Sequence, residues 1–148
     1  MKKRFLVMVS SLLLSGFYIH SVAAEDDNVK LEIVGLSNHS GTVNIAVFNK
    51  PDGFPNNPEK ALRRFTLPIS DNNTAITQLA LPKGKYAFAV FHDTDGNGKL
   101  NKNIFGIPTE GYGFSGTTGM RLASPKFDDF LVTVGAHEEV VVIHLQND

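Results

Sequence analysis

A strict two-residue alternation of apolar side chains constrains this chain more than any other feature. Leu31 and Ile33 alternate with Lys30, Glu32 and Val34, and Val43, Ile45 and Val47 alternate with Asn44, Ala46 and Phe48. Tyr86, Phe88 and Val90 face away from Ala87, Ala89 and Phe91, and Val140, Val142 and His144 oppose Val141, Ile143 and Leu145. A side-chain period of two suits a strand and no helix, and the β-branched and aromatic content agrees. The pattern predicts seven strands, at 29–36, 41–49, 61–67, 74–81, 84–92, 128–134 and 139–146. Turn residues punctuate them: Ser37 to Gly41, Ser70 to Asn73, Pro82-Lys83-Gly84 and Gly135 to Glu138. Seven short strands in one stretch of this length predict an all-β, two-layer Greek-key β-sandwich. Pro51, Pro55 and Pro58 keep 50–60 out of any sheet interior. That stretch has room for one helical turn around Pro58 to Ala61, with Asn57 as its cap. The 84–91 strand is apolar on both faces, so its outer face needs a cover, and the long 93–127 segment is the expected one.

The start of the chain carries an address. Met1-Lys2-Lys3-Arg4 is a positive n-region, Phe5 to Ile19 is apolar, and Val22-Ala23-Ala24 fits a small-residue cleavage site before Glu25. The apolar run falls short of the roughly 20 residues that a spanning helix needs. Residues 1–24 are therefore expected to be a signal peptide, 25–148 a single domain, and the destination periplasmic or secreted. After cleavage no integral membrane segment is expected. The chain has no cysteine, which removes disulfides, thiolate metal sites and a lipid-anchored cysteine together. Without Lys2, Lys3 and Arg4 it keeps 11 basic residues against 15 acidic ones, a net charge of −4. That balance, with no clustered basic face, argues against a nucleic-acid partner.

The most pointed chemistry lies in His92-Asp93-Thr94-Asp95-Gly96-Asn97-Gly98-Lys99-Leu100-Asn101. Asp93, Asp95 and Asn97 stand at alternate positions, followed by Gly98, as in the first half of a D-x-[DN]-x-[DN]-G calcium loop. Calcium takes six to eight hard oxygens, and a tight loop lets alternate side chains converge, with a backbone carbonyl after the glycine. Here that carbonyl is that of Lys99, and Asn101 holds the ninth position. The twelfth position is Ile104 rather than a bidentate Glu, so a further carboxylate must come from Glu110, Asp128 or Asp129. With two local carboxylates the expected affinity is weak, with a dissociation constant of about 10⁻⁴ to 10⁻³ M. An Asx-rich turn is the other reading of the same residues, because Asp, Asn and Gly all cap their own backbone.

Next comes a glycine-aromatic stretch, Ile104 to Gly116, in which Tyr112 and Phe114 either pack on a sheet face or meet a partner. His92-Asp93 with Asp95-Gly96-Asn97-Gly98-Lys99-Leu100, then Gly106 to Ser115, then Pro125 with Phe127-Asp128-Asp129, resemble domain-of-unknown-function family 2141. Gly41 to Asn49 and Leu81 to Ala87 fit it as well. The resemblance covers nearly all of 25–148. It implies a small exported bacterial protein with a transthyretin-like seven-strand sandwich, and no assigned activity. The family often has Asp where this chain has Asn101, which removes one carboxylate from the loop.

No catalytic constellation emerges. Cysteine is absent, His92 and Asp93 point to opposite faces of a strand, and His39, His137 and His144 are scattered. The expected function is therefore a non-enzymatic binding or structural module. It would be stabilised by calcium through Asp93, Asp95, Asn97, Lys99 and Asn101, and would present Glu110, Tyr112 and Phe114 to a protein or glycan. Two alternatives remain open. One is a transthyretin-like carrier of small ligands at a dimer site, and the other is a hydrolase using Glu110 with Asp128.

Overall fold

The computed structural model describes residues 26–116, 125–135 and 139–147, and within them alternation becomes pairing. The expected signal peptide lies outside the described residues. Eight strands follow in order: β1 Asp26–Val34, β2 Thr42–Phe48, β3 Arg63–Leu67, β4 Ala75–Pro82, β5 Gly84–Asp93, β6 Tyr112–Phe114, β7 Val132–Val134 and β8 Glu139–His144. Two single 3₁₀ turns, Pro58–Lys60 and Phe127–Phe130, complete the secondary structure. The protein is all-β. No helix among the described residues is long and apolar enough to cross a membrane.

Two sheets carry the strands. The smaller has the order β4-β1-β8, and the larger β3-β2-β5-β6, with β7 also paired to β5. β1 is antiparallel to β4 and parallel to β8, with Val29 to Val34 aligned on Glu139 to His144. The inward residues follow the period of two. Val29, Leu31, Ile33, Leu79, Leu81, Val141 and Ile143 of the smaller sheet meet Val43, Ile45, Val47, Tyr86, Phe88 and Val90 of the larger. Burying each of the larger side chains contributes about 1.5–3 kcal/mol. The sheets also meet along one edge, because Tyr112 exchanges two backbone hydrogen bonds with Gln146, just beyond β8 (3.1 and 2.8 Å).

The differences from the sequence expectation have local causes. The strand expected over 128–134 shrinks to Val132–Val134, because Phe127–Phe130 closes into a 3₁₀ turn. Residues three apart eclipse in that geometry. Phe127 and Phe130 thus both reach the Phe54 ring, each 5.8 Å from it. The eighth strand, β6, arises where glycines suggest a loop. A Cβ on Gly113 would lie 2.7 Å from the His144 carbonyl oxygen and 3.0 Å from Ile143, so the glycine marks a close backbone approach. Among the described residues, the outer face of the large sheet is covered by Phe54 and the 127–130 turn, whose first residue ends the expected 93–127 cover. Phe54 also packs 5.4 Å from Phe48 and 5.8 Å from Phe114. Asn57 does precede the 58–60 turn but makes no side-chain cap.

Candidate functional site

β5 runs out at Asp93, and the chain folds back on that carboxylate. Asp93 is buried on the outer side of the sheet, where Asn44 of β2 donates to its Oδ2 (3.0 Å). Its two oxygens also accept the backbone N–H groups of Asn97 (3.0 Å) and Gly98 (2.8 Å), which winds 93–98 into a tight turn. The turn needs glycine: Gly96 and Gly98 both have φ above +70°. On the other side of β5, Gly41 passes so close that a Cβ there would lie 1.9 Å from the Asp93 carbonyl oxygen. His92 points inward and is fully buried. Its Nε2 pairs with the Ser40 carbonyl (2.8 Å) and its Nδ1 with the Ser37 hydroxyl (3.4 Å). This histidine ties the loop before β2 to β5.

Asp95 is exposed above Asp93. It accepts from the Asn97 backbone (3.2 Å), the Asn97 side chain (2.9 Å) and the Asn101 side chain (2.9 Å). The Asn101 amide, more than any other contact, holds the Asp95 carboxyl below the ordinary carboxylate range. Asn97 also reaches the Asn101 Oδ1 (2.7 Å) and accepts the Lys99 N–H (2.8 Å). Lys99 itself is exposed.

Glu110 brings a third carboxylate to the loop. It is buried, and its Oε1 accepts both the N–H and the hydroxyl of Thr94 (2.8 Å each), while its Oε2 accepts the Asn101 N–H (2.9 Å). Carboxylate oxygens of Asp93, Asp95 and Glu110 thus lie within 4.8 Å of one another. None of the three makes an ion pair with a basic side chain among the described residues. Converging carboxylates repel, and a hard divalent cation is the partner that relieves this. Asp128 and Asp129, in the 3₁₀ turn, do not belong to the group.

Tyr112 and Phe114 are half-buried on the outer face. With Pro55, Leu100, Pro108 and Phe130 they line a groove of about 200 Å³. Phe114 packs 4.9 Å from Phe130 and 6.0 Å from Tyr112, so much of its surface serves the protein's own packing. Asn44, Thr94 and the ties of His92 are contacts the sequence reading missed. For Asn44 a signal existed, namely an amide interrupting an apolar strand.

The family model described as an uncharacterised protein conserved in bacteria, DUF2141, matches residues 31–142. The chain belongs to the DUF2141 family. No curated protein and no solved structure gives a match. The DUF2141 match begins within β1 and ends within β8, so the carboxylate group falls inside it, as does the groove apart from His144 and Gln146.

Proposed function

We propose that this DUF2141 chain is an exported, non-catalytic sandwich module in which one calcium ion locks the Asp93–Asn101 loop. The observation that carries the reading is the approach of Asp93, Asp95 and Glu110 within 4.8 Å with no basic partner among the described residues. Asn97, Asn101 and the Lys99 carbonyl would complete the oxygen set. The role is structural, because the loop joins the end of β5 to the segment that leads into β6. A module of this kind offers its outer face around Tyr112 and Phe114 to a protein or glycan; Glu110, expected on that surface, is instead buried beneath the loop. A hydrolytic role for Glu110 has less support, since both its oxygens are engaged by Thr94 and Asn101. The reading includes a periplasmic or secreted location. It also includes a Greek-key, transthyretin-like connectivity with Tyr112–Phe114 as an added short strand.

Thermal melting in calcium and in chelator tests the metal. At calcium tenfold above a weak dissociation constant, linkage stabilises the fold by about 1.4 kcal/mol, or roughly 5 °C for a domain of this size. The rise is expected in the wild type and lost in Asp95→Ala and Glu110→Gln. Equal melting with and without millimolar calcium would reduce the loop to a turn.

A further inference from the structure

β8 is an edge strand, and part of its free side is bare. Its amides alternate between two neighbours. Leu145 donates to the Val34 carbonyl of β1 (2.9 Å), whereas Gln146 exchanges both of its backbone bonds with Tyr112 on the far side. The alternation of a parallel ladder then turns Val141 and Ile143 toward β1, and Val140, Val142 and His144 away from it. Gly113 lies against the His144 carbonyl. No strand stands beside Val140 and Val142 among the described residues. Their side chains, 57% and 44% exposed, lie on the outer face of the small sheet beside the same open backbone.

The other edges are blunted. On β4, the Arg63 guanidinium donates to the Ala80 carbonyl (3.2 Å), and Pro82 has no N–H and gives its carbonyl to the Tyr86 hydroxyl (2.7 Å). β3 carries Arg63 and Arg64, and β6 and β7 have three residues each. Charge, proline and short length are the usual protections of an edge. The Val140–Val142 stretch has no charge and no proline. Open amides in an apolar strand fit another strand, which supplies the matching row of donors and acceptors.

Charge on the outer face selects whose strand. Lys30 stands level with Val140, and Glu32 with Val142. Within one copy the two charges are 3.9 Å apart. A second copy related by a two-fold axis at Val141 sets Val140 opposite its Val142. Each row across the join then runs Lys30, Val140, Val142, Glu32 and ends in opposite charges. An axis at Val140 sets Lys30 against Lys30 instead, and one at Val142 sets Glu32 against Glu32. The face is complementary to itself in the Val141 register, as an isologous contact requires.

We propose that two copies of this chain pair β8 with β8, antiparallel about Val141, and join their three-stranded sheets into one continuous sheet. Val140 and Val142 exchange backbone bonds with their counterparts and cover each other's side chains on the outer face. Lys30 lays its stem over them toward Glu32 of the second copy. The pairing does not rest on the calcium reading, and its test runs in chelator.

All eight strands lie between Asp26 and His144, so a chain starting at Glu25 carries the whole sandwich. Sedimentation equilibrium of that protein is expected to show monomer and dimer with a dissociation constant between about 1 µM and 1 mM, because a single strand edge is a small contact. Amide exchange at Val140 and Val142 should slow as the protein concentration rises. Val142→Pro removes only an outward N–H, and is expected to raise the dissociation constant by at least about tenfold while the monomer still melts cooperatively. Val140→Thr/Val142→Thr keeps every backbone bond and both β-branched shapes, and should weaken the dimer through the lost apolar contact. At low salt, Lys30→Glu should weaken it several-fold, and Lys30→Glu/Glu32→Lys should restore it. A monomer at about 1 mM overturns the proposal. So does a dimer whose Val140 and Val142 amides stay unprotected, or one that Val142→Pro leaves intact, because the contact then lies elsewhere. Growth beyond a dimer overturns the closed two-fold pairing.

Discussion

Asp95 is the loop carboxylate that solvent reaches, and its protonation has a readable sign. Its side chain accepts bonds from Asn97 and Asn101, and its pKa lies below the ordinary 3.8. A carboxylate with a depressed folded value stabilises the native state above its unfolded value and loses that contribution as pH falls through the folded one. In chelator, the melting temperature of the wild type is therefore expected to fall more steeply below pH 4 than that of Asp95→Asn, with the two curves parallel near neutrality. Asp52, lowered by its hydrogen bond to Lys60, titrates in the same window and is common to both proteins. Parallel curves throughout would show that the Asn101 contact does not favour the charged form. At this scale the sequence was legible where chemistry is local. Asp93, Asp95 and Asn97 declared themselves by alternate spacing. Glu110 was only one of three acids within range, because the Asn101–Thr109 hairpin decides which of them returns. Asn44 belongs to the loop only through strand pairing, which no spacing encodes.

One edge of β5 is shared between two elements, and Ser115 stands at the changeover. β6 pairs with Ala89 to Phe91 and β7 with Gly84 to Tyr86, which leaves the Phe88 amide between them. The fully buried Ser115 hydroxyl accepts that N–H (2.9 Å) and donates to the Phe130 carbonyl (2.6 Å), joining β5, β6 and the second 3₁₀ turn. Ser115→Ala removes the hydroxyl that the buried Phe88 N–H meets, and is expected to cost about 1–3 kcal/mol. The readout is a lower urea midpoint at unchanged slope. An unchanged midpoint would mean that water replaces the hydroxyl. Long strands with clean alternation, β1, β2, β4, β5 and β8, were legible as elements. β6 was not, because its glycines answer to a neighbouring backbone rather than to local preference. The 127–130 turn was not either, because Phe127 and Phe130 are placed by Phe54 from a distant loop.

At the scale of the molecule, the class of fold was legible and the sharing of edges was not. Periodicity tells which residues face inward, but not that β6 and Gln146 join the two sheets or that β8 lies parallel to β1. That last pairing has a further meaning. β1 is the centre of its sheet, and one of its two neighbours is β8. A chain ending before Glu139 lacks that neighbour and the inward Val141 and Ile143. It is expected to show no cooperative urea transition, and a two-state transition in that truncated chain would place the stability elsewhere. Contacts so distant along the chain also form slowly. Under the proposed export, an unfolded chain that crosses a membrane N-terminus first would release β1 long before β8. The three-stranded sheet could not close before β8 had crossed, so this connectivity would hold β1 without its parallel partner until then.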